Sequence, residues 1–134
     1  MTGYILDTSV WIDFLRGTRP AGVARGYLLS SDPGPLISSI ELGELRKVYL
    51  EQGFDDETFF EDLALVHSWC DIVDVNENHS IRAGEIRHTI KRKGIGLVDC
   101  ILLALAEERD YMVVSTDDHF KNDRRAIYIG EGAT

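Results

Sequence analysis

The chain has 134 residues, of which 44% are hydrophobic and 28% charged, a balance that fits one domain with a substantial core and excludes long disorder. Its 23 acidic against 14 basic residues leave a net charge of −9, which excludes a general nucleic-acid coat protein. An enzyme whose acids gather around cations stays open, because a bound cation turns such a cluster into an attraction for phosphate.

Residues 3–7 read as a short buried strand. Thr8 and Ser9 offer hydroxyls for a helix start, and Val10, Trp11, Phe14 and Leu15 recur at helical spacing until Gly17. A shorter helix is predicted over 20–29, a turn over 31–35, and a second strand at Leu36-Ile37. Ser38 and Ser39 lead into a helix over 40–51, closed by Gly53. Asp55-Asp56 opens the next helix, which carries Phe59, Phe60, Leu63, Val66 and Trp69. A third strand is predicted over 72–75 and a polar helix over 78–93, broken by Gly94 and Gly96. Residues 97–109 are apolar nearly all round and should form a buried central helix. Strands over 112–115 and 126–129 complete the chain. Strands separated by helices imply parallel pairing, hence an α/β three-layer sandwich with a short, mainly parallel central sheet in one domain over 1–134.

No apolar run approaches the ~20 residues of a membrane span, and the opening Met1-Thr2-Gly3-Tyr4 has no basic segment before a long apolar stretch. A cytoplasmic protein without membrane association is therefore expected. Cys70 and Cys100 lack metal-ligand spacing and are expected to be buried, reduced thiols.

Four acids stand out because each lies at the edge of an apolar element. Asp7 follows Tyr4-Ile5-Leu6, Glu41 follows Leu36-Ile37-Ser38-Ser39-Ile40, Asp99 interrupts the run from Leu97 to Ala106, and Asp117 follows Met112-Val113-Val114-Ser115. Carboxylates are seldom buried unless paired or metal-bound. Asp7 and Asp117 fall at strand ends, and Glu41 and Asp99 in first helical turns, so one edge of the sheet can hold all four. Two charges ~4 Å apart repel by roughly 4 kcal/mol at an effective dielectric of about 20, which protons or hard cations must relieve. An all-oxygen site favours Mg²⁺, with Mn²⁺ as the other candidate. Asp7 reads equally as a plain cap for the helix at Thr8, and Glu41 as a dipole partner. Glu44, one turn on, is a candidate auxiliary acid. Asp118 is a helper or a turn residue, His119 an exposed residue near the site, and Asp13 is expected to face solvent.

The segments Ile5-Leu6-Asp7-Thr8-Ser9, Ser39-Ile40-Glu41-Leu42, Leu97-Val98-Asp99-Cys100 and Val114-Ser115-Thr116-Asp117-Asp118-His119-Phe120, in this order, resemble the PIN-domain ribonucleases. The closest likeness is to VapC-type toxins of toxin–antitoxin modules, and it spans nearly the whole chain. The resemblance implies a Mg²⁺-dependent endoribonuclease in which Asp7, Glu41, Asp99 and Asp117 hold metal and act in catalysis. It puts Thr8 and Ser115 beside them, with Thr common at the Ser115 position and Asp at the His119 position in relatives. It also implies an RNA substrate, a homodimer and a cognate antitoxin, and hence exposed apolar surface near the first helices, with Trp11 and Phe14 as candidates.

A basic stretch from Arg82 to Lys93 stands out in this acidic chain. Ile86 and Ile90 should pack inward, leaving Arg87, Lys91, Arg92 and Lys93 as a rail for an RNA backbone, or as a solvated helix end answering the helix dipole. Arg16, Arg19, Arg46 and Lys47 are candidate extensions of the rail. Two rival functions are open. A phosphatase of the haloacid-dehalogenase kind needs a second Asp two residues after the first, where Ser9 stands. A catalytically silent RNA-binding or scaffold module would be expected to lack one of the acids.

Overall fold

The computed structural model describes residues 3–17, 21–28, 33–90 and 94–130, with only the backbone at 21–24. In chain order the elements are β1 (Tyr4–Leu6), α1 (Thr8–Arg16), α2 (Ala21–Leu28), β2 (Leu36–Ser38), α3 (Ser39–Glu51), α4 (Asp56–Trp69), β3 (Asp71–Val73), α5 (Glu77–Thr89), α6 (Leu97–Arg109), β4 (Met112–Ser115), a 3₁₀ turn (Asp118–Phe120) and β5 (Ala126–Tyr128). The strands form one sheet in the order β3-β2-β1-β4-β5, and every pairing is parallel. The predicted three-layer α/β sandwich is therefore what the chain adopts.

The layers follow from strand periodicity. Successive side chains of a strand point to opposite faces, so each apolar dipeptide feeds two cores. Ile5, Leu36 and Val113 join α5 and α6 in one core, while Leu6, Ile37 and Val114 join α1, α3 and α4 in the other. Continuous apolar runs in these strands are the expected mark of a sheet covered on both faces. Cys100 to Ala106 of α6 are all buried, because the helix lies between the sheet and α5. Its first residue, Leu97, is exposed, unlike the rest of the predicted buried helix.

Polar pins fix α5 on α6. Arg82 grips Glu107 through two hydrogen bonds of 3.0 Å, and the buried His79 reaches Glu108 at 2.6 Å. His79 Nδ1 accepts the Asn76 backbone N–H, so the proton on Nε2 faces Glu108. The helix ends at Thr89 with Ile90 in extended backbone, a turn earlier than predicted. Ile86 and Ile90 pack inward as expected. Lys91, Arg92 and Lys93 lie outside the described residues, as does Arg19.

Several expectations for the first helices are corrected. Trp11 is completely buried rather than surface-displayed, because α1 carries it into the core with Leu45, Tyr49 and Val66. Phe14 is half-buried and meets Trp69 edge-on at 4.9 Å. The exposed large apolar side chains of the neighbouring α3 and α4 are Ile40, Leu50, Phe60 and Leu65 instead. Asp13 is half-buried rather than facing solvent. Cys100 is buried and Cys70 half-buried, and neither is in a disulfide.

Arg16 does not extend a basic rail. Its guanidinium bonds Asp62 at 2.9 Å and lies 4.3 Å from the centre of the Phe54 ring. Asp62 also accepts the Tyr49 hydroxyl at 2.5 Å. Three helices, α1, α3 and α4, are thus joined through one mostly buried carboxylate. Asp62→Ala is expected to lower unfolding stability by about 3 kcal/mol, since Arg16 and Tyr49 both lose their acceptor. Urea unfolding measures this, and a loss under about 1 kcal/mol would show that the cluster is solvated.

Candidate active site

Asp7 closes β1 and caps α1, as the cap reading of this residue expected. Its N–H donates to the Val114 carbonyl at 2.9 Å, which ties the turn to β4. Its Oδ1 accepts the Thr8 N–H at 2.8 Å, and its Oδ2 accepts the hydroxyls of Ser115 at 2.7 Å and Ser9 at 3.1 Å. Burial pushes its carboxyl up to about 6 against those hydrogen bonds, with the Asp99 charge adding to the rise. Ser115 also accepts the Asp117 N–H at 2.9 Å, so one hydroxyl joins the ends of β1 and β4.

Glu41 occupies the third position of α3 and is completely buried. Its Oε1 accepts both the backbone N–H and the hydroxyl of Ser38, at 2.9 and 3.0 Å. Its Oε2 is buried with no hydrogen-bond partner among the described residues. Burial, then the nearby Asp7 charge, hold this carboxyl well above the usual range. Glu44, a turn later, accepts the Thr8 hydroxyl at 3.1 Å, and burial raises it too, with Asp99 contributing. Glu44 and Thr8 are thus drawn to the same edge as the four acids.

Asp99 sits at the third position of α6, where its Oδ2 accepts the Gly96 N–H at 3.1 Å. Burial raises its carboxyl, the Gly96 N–H opposes this, and the Asp117 charge raises it further. Asp117 caps the 3₁₀ turn, with its Oδ1 accepting the His119 N–H at 3.0 Å. The electrostatic coupling runs from Glu41 to Asp7 to Asp99 to Asp117, so the four predicted acids form one connected array on the carboxyl edge of the sheet. Asp118 turns away instead and accepts the Tyr128 hydroxyl at 2.8 Å.

His119 is more central than its exposed, isolated place in the sequence suggests. Its Nδ1 lies 3.1 Å from Asp117 Oδ1 and 3.4 Å from Asp99 Oδ2, aligned with neither for a hydrogen bond. The two-residue spacing from Asp117 is visible in sequence; the contact with Asp99 exists only through folding. Gly94 makes room for the ring. It has φ +89°, and a Cβ there would stand 2.8 Å from His119 Nε2. Any side chain at 94 would be strained in its backbone and would push the imidazole away.

Among the described residues, no three His, Cys, Asp or Glu side chains stand close enough to hold a metal ion as they are. Each carboxylate is instead drawn to local N–H and hydroxyl donors. The donor set nonetheless fits a hard cation: it is rich in carboxylate oxygen, burial penalises its charges, and Glu41 Oε2 has no partner among the described residues. Of the candidate RNA contacts, Arg87 is half-buried with its guanidinium 3.5 Å from the Ile90 carbonyl, and Lys91, Arg92 and Lys93 lie outside the described residues. Arg46 is engaged by Asp56 at 2.6 Å and Lys47 faces Glu51 at 3.8 Å.

No helix among the described residues is long and apolar enough to cross a membrane. No curated protein sequence matches the chain. Solved structures do. A chain of the DNA-bound VapBC complex of Salmonella typhimurium is 26% identical, with a TM-score of 0.67 over 96% of this chain and 97% of that one. VapBC2 of Rickettsia felis, bound to promoter DNA, is 23% identical with a TM-score of 0.73 over 95% and 97%. VapC20 of Mycobacterium tuberculosis, a toxin that cleaves the sarcin–ricin loop, is 17% identical with a TM-score of 0.71 over 90% and 92%. The fold is thus the one found in these toxin–antitoxin proteins. The profile of the PIN domain matches residues 4–124, a span that takes in Asp7, Glu41, Asp99 and Asp117 together, and the chain belongs to the PIN-domain family.

Proposed function

We propose that the chain is a Mg²⁺-dependent endoribonuclease, with Mn²⁺ able to substitute, and the toxin of a toxin–antitoxin pair. The observation that carries this reading is the set of mutually repelling carboxylates at strand and helix ends, of which Asp7 and Glu41 are buried, with Glu41 Oε2 left without a partner among the described residues. In this reading Asp7, Glu41, Asp99 and Asp117 hold the cation, which when bound would activate water and neutralise charge on the phosphodiester. Ser115 and Thr8 orient Asp7 and Glu44, so that the acids keep their positions when substrate enters. The relatives solved as toxin–antitoxin complexes support a protein antitoxin as partner, and RNA as substrate is drawn from VapC20. A homodimer in the cytoplasm is part of the same proposal.

The direct test is cleavage of single-stranded RNA with and without Mg²⁺, with EDTA reversal. RNA binding without cleavage in any divalent metal would favour a silent scaffold module. Turnover of a small phosphoester without RNA cleavage would favour a phosphatase, although Ser9 occupies the place where that chemistry needs an acid.

The basic stretch yields a separate expectation. Replacing Lys91, Arg92 and Lys93 by Ala should weaken RNA binding and lower its salt slope by about 0.7 for each lost phosphate contact. The saturated single-turnover rate should change little, since these residues hold no cation. An unchanged slope would mean that this stretch makes no contact with RNA phosphates. A collapsed rate with intact binding would place one of these cations at the reacting phosphate.

A further inference from the structure

A groove of about 890 Å³ runs along the flank of the molecule between the α5–α6 pair and the segment that descends from the 3₁₀ turn to β5. Its floor is apolar, made by Ile86, Ile90, Leu103 and Met112, and its outer wall carries the exposed Lys121 and Arg124. We infer that this groove is a subsite for single-stranded RNA flanking the cleaved bond, with a base on the apolar floor and its phosphates on Arg124 and Lys121. The inference rests on the ribonuclease reading above and extends it to how substrate is held.

At its Lys121 end the groove borders the turn that Asp117 caps, and from there it runs toward the amino edge of the sheet, where Met112 opens β4 and Arg125 precedes β5. Its outer wall begins at Lys121, next to Phe120 in the turn that Asp117 caps. Its inner wall ends at Ile90, and Gly94 stands directly against His119, which itself lies close to Asp117 and Asp99. A strand of RNA leaving the acids on this side meets Lys121 first.

The charges of the wall also suit a polyanion. Its two acids are already engaged: Glu107 is gripped by Arg82, and Asp123 accepts the Arg125 N–H at 2.8 Å. Arg125 is held by Asp110 at 2.9 Å and serves the wall rather than the ligand. Arg124 is exposed, and no ion pair holds it among the described residues. Lys121 extends over the Tyr128 ring, with Nζ 5.5 Å from its centre. In a protein of net charge −9, an exposed arginine beside an apolar trough favours a strand whose bases can unstack and whose phosphates need cations. A duplex keeps its bases stacked inside and cannot use the floor.

The experiment compares the unaltered protein with Lys121→Ala/Arg124→Ala, using a fluorescein-labelled single-stranded oligoribonucleotide and the same sequence as a duplex. Binding is read by anisotropy over a salt series, beside single-turnover cleavage. The double variant should bind the single strand more weakly, with a salt slope lower by roughly 1.4, about 0.7 for each phosphate. Its duplex binding, melting temperature and saturated cleavage rate should stay as they were. Arg124→Lys should restore most of the slope, which a merely structural role would not do. An unchanged single-strand affinity and slope overturns the subsite while leaving the nuclease reading intact. Equal losses on duplex and single strand also overturn it, since the apolar floor then plays no part. If the unaltered protein neither binds nor cuts RNA, the ribonuclease reading fails and the subsite fails with it.

Discussion

Asp99→Asn is expected to abolish metal-dependent RNA cleavage while leaving the fold intact. The side chain stands in the first turn of α6, coupled to both Asp7 and Asp117, so it lies at the middle of the acidic array. The neutral amide keeps the shape and can still accept the Gly96 N–H, but it no longer offers a full charge to a cation. Losses of outer-sphere partners cost roughly 10–100-fold in metal affinity or activity, and removal of a direct ligand should exceed that. The metal-free variant should be at least as stable as the parent, because a charge repelling Asp7 and Asp117 has gone. Single-turnover cleavage and thermal melting in EDTA measure the two halves. A variant that cuts at the parental rate would remove Asp99 from the chemistry. One that loses activity only by unfolding would make its role structural.

The metal-free protein is expected to lose stability as the pH rises through the acidic range, the reverse of ordinary acid denaturation. Asp7, Glu41, Glu44 and Asp99 are all raised in the folded state, so the folded protein binds protons more tightly than the unfolded chain does. For a raised carboxyl, the stabilisation is full below its unfolded value and is lost as pH climbs through its folded value. For Asp7 this window runs from 3.8 to about 6. At about 1.4 kcal/mol per pH unit, its share comes to roughly 3 kcal/mol. Glu41 extends the loss upward, since burial and Asp7 raise it well above the usual range. Millimolar Mg²⁺ or Mn²⁺ should restore the loss near neutral pH. A cation at 100 times its Kd adds about 2.7 kcal/mol by mass action, roughly 10 °C in melting temperature for a domain of this size. Melting curves from pH 4 to 8, in EDTA and in metal, separate these contributions. Asp7→Asn should flatten the metal-free profile. The same pH profile in parent and variant would mean that Asp7 does not titrate as its burial implies.

The sequence by itself determined the element order and the parallel sheet, and it singled out the four acids as costly to place. Hydrophobic dipeptides between helices allow few other arrangements, and an acid inside an apolar run is costly enough to be noticed without coordinates. Asp7, Glu41, Asp99 and Asp117 could be named because each breaks a local pattern at an element boundary. Tertiary structure decided what no local pattern encodes. Trp11 is a candidate for the surface because the resemblance implies an antitoxin to cover it, yet which face of α1 is covered depends on α3 and α4 arriving from far along the chain. Arg16 reads as a free cation, yet Asp62, 46 residues later, claims it. His119 looks solitary until α6 brings Asp99 to its ring and Gly94 clears the space beside it. The groove beside Arg124 is likewise invisible in sequence, since its walls come from α5, α6 and the approach to β5. Local chemistry marks which residues are costly to place, whereas the partners that justify the cost are set by long-range packing.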